Sequence, residues 1–351
     1  MSGNRGRPLI LPILGLILLL AALLSLATGV VAVAPGEMLS ALLGRLGFAS
    51  PSPLEPVQAM VVSEIRLPRT LLSIVVGAGL AVSGAVMQGL FRNPLADPGL
   101  LGVSAGAALG AVSVIVLSGS IAPRLSMLPS QAVLPLAAFA GSLAATLLVY
   151  RLGRLGGRTD VATMLLAGIA INAIAVAGTS LLTYLADDQQ LRGLVFWSMG
   201  SVGDAGWDSL LPGALLMLAG SSVAFFHAPA LNAILLGEAE AAHLGFEVDR
   251  IKRILILLVA LIVGAAVSLS GIIGFVGLVV PHLLRLVIGP DHRLLLPASA
   301  LGGAILLLCA DLLARSLIAP AELPIGILTA LLGGPFFLWL LLRWRRTFLT
   351  T

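Results

Sequence analysis

Side chains able to do chemistry are scarce in this 351-residue chain: 20 Lys and Arg, 16 Asp and Glu, four His and one Cys. Their spacing excludes several activities. A phosphate-binding loop needs Gly-x4-Gly-Lys-Ser/Thr, and the one lysine, Lys252, stands between Ile251 and Arg253. Nucleotide hydrolysis, if it drives this protein, must come from another subunit, with ATP and magnesium used there and no cofactor held by this chain. Cys309 lies in an apolar run, and a lone cysteine supports neither a disulfide framework nor a cysteine metal site. His227, His243, His282 and His292 fall at or near the ends of apolar runs, so no metal site is expected. Acids inside apolar runs are nearly absent: Asp311 ends one, while Asp97 and Asp160 fall in loops. Proton- or sodium-coupled carriers usually show buried carboxylates, which counts against ion coupling.

Two groups of residues invite a functional reading. Arg66-Leu67-Pro68-Arg69 opens an apolar run, and Arg315 precedes Glu322-Leu323-Pro324. These arginines could capture an acidic partner through charge-assisted bonds or snorkel to lipid headgroups. The segment Gly237 to Gly245 is short and helix-prone, offers Ala239, Ala242 and Leu244 as an apolar face, and is bracketed by glycines that can turn the chain. It suits docking to a separate ATPase. The alternative is an amphipathic helix lying on lipid, against which Glu238 and Glu240 speak, because anionic headgroups favour Lys and Arg.

The elements that must position these groups are membrane helices. The chain is 59% hydrophobic and 10% charged, with a mean hydropathy of +1.10, against about 45–50% and about 25% in soluble domains. A transmembrane barrel would show alternating segments of about ten residues instead. The +4 net charge is spread between apolar runs rather than gathered on one face, so no nucleic-acid partner is expected. Uncharged runs at 8–36, 70–91, 98–123, 125–150, 161–186, 209–237, 254–284, 294–310 and 323–342 make nine candidates. The run 254–284 would be about 46 Å long as a helix, against a bilayer core of about 30 Å. A turn at Ser268-Leu269-Ser270-Gly271 would divide it, giving ten helices. With both termini basic and an even count, the positive-inside rule places both in the cytoplasm. Fourteen of the 20 basic residues then lie inside, and Arg45, Arg66, Arg69, Arg124, Arg192 and Arg315 lie outside. The first run is about twice the length of a signal-peptide core despite Ala32-Val33-Ala34, so it reads as a span. The expected fold is all-α and polytopic, one transmembrane domain over 1–351, with outer stretches at 37–69 and 187–208 and a cytoplasmic segment at 235–249. The uncharged piece 193–203 suits a short re-entrant or interfacial helix. Glycines at Gly77, Gly79 and Gly84, and at Gly102, Gly106 and Gly110, suit close helix packing. A faint repeat at an offset of 187 pairs Gly77, Gly84, Pro94 and Gly102 with Gly264, Gly271, Pro281 and Gly289.

The sequence resembles the permease family of bacterial ABC importers for iron-siderophores, haem and cobalamin. The matching stretches are Arg66-Leu-Pro-Arg69, Gly84-Ala-Val-Met-Gln88, Arg92-Asn-Pro-Leu-Ala-Asp-Pro98, Leu101-Gly-Val-Ser104, Gly237 to Gly245, Gly274 to Arg285, Asp291-His-Arg293, Ala310-Asp-x2-Ala-Arg315 and Glu322 to Ala330. They cover about 60 to 342 in family order. The resemblance implies ten helices per subunit in the bacterial inner membrane, a homodimer with two ATPase subunits, and a periplasmic substrate-binding protein. It implies that Arg66, Arg69 and Arg315 meet acids on the binding protein. It implies that Gly237, Glu238, Ala239, Ala242, Leu244 and Gly245 couple to the ATPase, and that the path at the dimer interface is lined by the fifth helix and the short helix after it. Asn172, Thr179 and Thr183 are polar groups on that fifth helix. Asp187 to Ser201 resembles the haem-permease version of its stretch: Arg192 could pair with a propionate, and Phe196 or Trp197 could meet a flat apolar ring. The alternatives are a surface charge at Arg192 and an interfacial anchor at Trp197. Haem is thus the expected cargo, with a ferric siderophore or cobalamin as alternatives; a secondary carrier and a passive channel or scaffold are the rival classes.

Overall fold

The computed structural model describes residues 9–29, 33, 36–38, 55–121, 129–155, 158–319 and 321–349. Arg5, Arg7, Ala32, Ala34, Arg45 and Arg124 lie outside the described residues, as does 39–54 of the outer stretch 37–69.

The principal helices among the described residues are α1 Ile10–Ala27, α2 Pro56–Leu90, α3 Val103–Ile121, α4 Ser130–Leu152, α5 Val161–Tyr184, α6 Asp188–Met199, α7 Trp207–Phe226, α8 Ala228–Leu236, α9 Glu238–His243, α10 Val248–Ser270, α11 Val276–Ile288, α12 His292–Ser316 and α13 Ile325–Leu349, with a 3-10 turn at Pro98–Leu101 before α3. A two-residue hairpin, β1 Arg154–Leu155 with β2 Arg158–Thr159, joins α4 to α5. Seven helices are long and apolar enough to cross a membrane (α1, α2, α4, α5, α7, α10 and α12), and Val103–Leu117, Val276–Ile288 and Ile325–Leu340 are shorter apolar helices. The chain is a polytopic helical membrane protein. The long run 254–284 divides where expected: α10 ends at Ser270, Gly271 turns the chain at φ +66°, and α11 starts at Val276.

Several helix boundaries differ from the apolar runs, each for a local reason. The helix expected to open near Arg66 continues upstream to Pro56. Pro68 lacks an N–H, and its ring would press on the carbonyl four residues earlier. The wider π turn Val61–Arg66 directly before it relieves that contact. A carbonyl of that turn, Ser63 O, accepts a hydrogen bond from the Trp207 indole at 3.1 Å. The run 209–237 is two helices, because Pro229 falls in the first turn of α8 and breaks the ladder after His227. The short helix expected within 193–203 starts earlier, capped by the Asp187 carboxylate on the amides of Gln189 and Gln190. Of the repeat pairs, Gly102 and Gly289 both have positive φ, but Gly84 is mid-helix while Gly271 ends one.

α2 is the centre of the bundle, buried at nearly every residue from Pro68 to Leu90. It runs antiparallel to α12, and its small residues let backbones meet. A Cβ on Gly77 would strike the Gly303 carbonyl, one on Gly303 would strike the Gly77 carbonyl, and one on Gly84 would strike the Gly277 carbonyl of α11. Gly106 and Gly141 face each other's carbonyls between α3 and α4 in the same way. This is how helices associate where lipid offers no hydrophobic drive. α1 and α5, only 17% buried, form the rim.

The prediction is direct. Gly84→Val should destabilise the folded chain by about 1–3 kcal/mol or more through overpacking, read as a lower thermal unfolding midpoint in detergent. Gly15→Val, with nothing near its Cβ position, should leave the midpoint unchanged.

Candidate functional site

At one end of the bundle the three arginines singled out from the sequence come together. The Arg69 guanidinium donates from Nε (2.9 Å) and Nη2 (2.8 Å) to Asp311 Oδ1, and from Nη1 to Glu322 Oε1 at 2.9 Å. Arg315 Nε lies 3.6 Å from the second Asp311 oxygen. Arg315 also donates to the Ser25 carbonyl (2.7 Å), the Ser25 hydroxyl (2.8 Å) and the Thr28 carbonyl (3.1 Å). Arg66 donates to the Leu26 and Ala27 carbonyls at 2.9 and 3.2 Å. The last turn of a helix leaves carbonyls without intrahelical donors, and here two cations supply donors and oppose the negative end of the α1 dipole.

The three guanidiniums turn inward at this end of the bundle: Arg66 and Arg69 are 4% and 8% exposed, and Arg315 is half-buried. Each has partners inside its own chain. Asp311, read as the end of an apolar run, is fully buried within α12 and anchors the network. Its spacing of four from Arg315 was the available signal.

A second network lies at the opposite end of α2, beside Leu90 and Phe91. From Arg69 to Leu90 a helix rises about 32 Å, close to the thickness of a bilayer core of about 30 Å. Lys252, 2% exposed, places Nζ 2.6 Å from Glu238 Oε1 and donates to the Thr159 carbonyl at 3.2 Å. The Thr159 amide donates to Asp249 Oδ1 at 3.0 Å. Asp160 caps α5, accepting from the Thr163 hydroxyl (2.6 Å) and amide (2.7 Å), and these bonds hold its carboxyl below the usual range. Arg253 Nε donates to the Tyr150 hydroxyl at 3.1 Å. Lys252 served at the level of sequence only to exclude a phosphate loop and to count inner charges; burial, which composition does not report, gives it a place.

Close by, Gly237 to Gly245 forms α9 between two positive-φ glycines, Gly237 at +141° and Gly245 at +89°. Ala241 is buried and ties the helix down, while Ala239, Ala242 and Leu244 are exposed together with Glu238. The apolar face read from the sequence is therefore uncovered in the single chain.

The third region is a cavity of about 850 Å³ at the Glu322 end, lined by residues that include Asp187, Gln190, Phe196, Trp197, Asp204 and Glu322. Phe196 is 66% exposed, and Trp197 packs partly against the core. Arg192 is exposed and is not among the lining residues, which include the three carboxylates of Asp187, Asp204 and Glu322. On α5, Asn172 turns toward α3 and donates to the Gly99 carbonyl at 3.2 Å, and the Thr183 hydroxyl bonds back to the Thr179 carbonyl at 2.8 Å. The exposed face of α5 is instead apolar, with Leu166, Ile169, Ile174, Val176, Leu181 and Tyr184. No group of three or more metal-binding side chains occurs among the described residues.

Residues 17–343 match the profile of the FecCD transport family. The chain belongs to that family. It is 56% identical over 281 residues to the hemin transport system permease protein of Yersinia pestis, covering 80% of this chain and 83% of that protein. It is 46% identical to the cobalamin import system permease protein of Halobacterium salinarum over 282 residues, covering 80% and 73%. With the vitamin B12 import system permease protein of Salmonella typhi it shares 44% identity over 333 residues, covering 94% of each. A solved metal-chelate type ABC transporter in an inward-facing conformation aligns with a TM-score of 0.82 at 35% identity, covering 96% of this chain and 99% of that one. Like these FecCD relatives, the chain is a transport permease and not an enzyme; ATP hydrolysis belongs to a separate subunit.

The buried ion pair yields a thermodynamic prediction. Removing one partner strands a charge, so Arg69→Met or Asp311→Asn should each cost about 3–5 kcal/mol of stability. In unfolding measurements on the purified chain, Arg69→Met combined with Asp311→Leu should recover much of that loss. Additive losses in the double variant would contradict the pairing.

Proposed function

We propose that this FecCD permease carries haem inward across a bacterial inner membrane, as the transmembrane subunit of an ATP-driven importer. It acts as a homodimer with two ATPase subunits and receives cargo from a periplasmic binding protein. The observation that carries the cargo reading is the 56% identity to a hemin permease over four fifths of the chain. The vitamin B12 permease, aligned over 94% of the chain, supports cobalamin as the second reading. Seven long and three shorter apolar helices are compatible with ten crossings and with both termini inside.

In this mechanism the exposed apolar face of α5 meets its counterpart in a second copy, and the path runs between them with α6 at the outer mouth. Phe196 and Trp197 offer flat apolar surface to a macrocycle. The path holds its cargo weakly, because Asn172 and Thr183 direct hydrogen bonds to their own chain; specificity then rests with the binding protein. Arg69 and Arg315 bear on docking through exchange: acids on the binding protein compete with Asp311 and the half-exposed Glu322 for the same guanidiniums. At the inner end, the open face of α9 (Ala239, Ala242, Leu244) seats in the ATPase subunit, and nucleotide-driven closure of that subunit moves α9 and opens the path inward.

Reconstitution in liposomes with the ATPase subunits and a loaded binding protein tests this reading. Uptake of hemin that requires ATP and exceeds uptake of cobalamin and ferric siderophore is the expected result. A preference for cobalamin would establish the second reading, and uptake by the chain alone under a proton gradient would overturn both.

A further inference from the structure

Lysines at the inner ends of membrane helices ordinarily extend their heads to water or phosphate. Lys252 does the opposite. It lies on the second turn of α10, turns inward, and is 2% exposed. Its ammonium meets two segments remote from each other in sequence: Glu238, the first residue of α9, and Thr159, the last residue of the β1–β2 hairpin. Thr159 is held through both of its backbone polar groups, its carbonyl by Lys252 and its amide by Asp249, one helical turn apart on α10. The next residue, Asp160, is the N-cap of α5. Arg253 ties the end of α4 to α10 through Tyr150. The hairpin and the start of α5 are therefore fastened to the first turns of α10. Lys252, through Glu238, is also the salt-bridge connection from that assembly to α9.

We propose that Lys252 is a positioning residue that carries displacement of α9 to the N-terminus of α5, so that the nucleotide state of the ATPase reaches the path-lining helix through Glu238, Lys252 and Thr159. This rests on the reading of α9 as the ATPase-facing segment. The chemistry suits an ammonium: three donors on a flexible stem can hold a carboxylate and a carbonyl at once, whereas a planar guanidinium presents a rigid fork. Glu238, with its side chain 43% exposed, is the end of the chain of contacts free to move, and Thr159, 6% exposed, is the end that is packed.

The test uses the full complex with its ATPase subunits in liposomes and needs no cargo. Cys309 is replaced by serine and Ala162, exposed on the first turn of α5, by cysteine. The labelling rate by an impermeant thiol reagent from the inner side is compared without nucleotide and with a non-hydrolysable ATP analogue. With Lys252 present, the analogue should change the rate by about fivefold or more, the scale of an ordinary allosteric coupling. In Lys252→Met that change should disappear while co-purification with the ATPase subunit persists, and in Glu238→Gln, should the first variant fold poorly, it should disappear in whatever complex with the ATPase subunit forms. A purely structural lysine would lower yield or assembly and leave the nucleotide response intact in whatever complex forms. An unaltered response in both variants, or none in the parent, overturns the proposal. Leu244→Asp separates the two levels of the claim. Loss of ATPase-subunit binding is expected there; retained binding would overturn the role of α9 and the strut with it, whereas lost binding alongside an unaltered response in Lys252→Met and Glu238→Gln would overturn the strut alone.

Discussion

Everything in this bundle hangs on the closeness of α2 to α12. Water cannot drive two apolar helices together inside lipid, so the contact must come from packing and from polar groups that find each other. Gly77 and Gly303 supply the packing, each set against the other's carbonyl. Arg69 lies eight residues before Gly77, and Asp311 eight residues after Gly303. In an antiparallel pair those positions face each other, about 12 Å along the axis from the glycine crossing. The ion pair is thus a consequence of the register that the glycines set. At the other end the same register brings Gly89 against the His292 ring, where a Cβ would lie 2.6 Å from Nε2.

That central pair divides the molecule into a packed middle and two polar ends. At the Arg69 end, three arginines hold the final carbonyls of α1, a buried aspartate and a half-exposed glutamate. At the other end, Lys252 of α10 holds two further segments, α9 and the β1–β2 hairpin. Around the middle, α5 and α9 keep apolar faces uncovered in the isolated chain. In the proposed assembly these faces meet partners, and they lie on α5 and α9 rather than on the packed pair α2 and α12.

Much of the architecture was legible from the sequence because the bilayer imposes a length on apolar runs. The break at Ser270–Gly271 followed from a run too long for one crossing, and the glycine contacts followed from spacing. What failed did so for physical reasons. Pro68 looked like a helix start because prolines favour first turns, but a π turn lets the helix run through it. The partners that Arg69 finds within the chain were not readable, because Asp311 lies 242 positions away. Nor was the position of Arg192 relative to the cavity wall, since rotation around α6 does not follow from residue type. Lys252 was hidden for the same reason: one-dimensional charge counting cannot tell a snorkelling lysine from an inward one.

The central claim is that nucleotide moves the rim against a fixed pair. Pulsed electron-electron distance measurements with spin labels on α2 and α12, and on α9 and the first turn of α5, test it in the assembled transporter. On binding ATP, the α2–α12 separation should hold constant, while the labels on α9 and α5 both move relative to α2 by at least about 1–2 Å, the scale of interface helix shifts. Separation of α2 from α12, or movement of α9 with α5 left in place, would contradict the account.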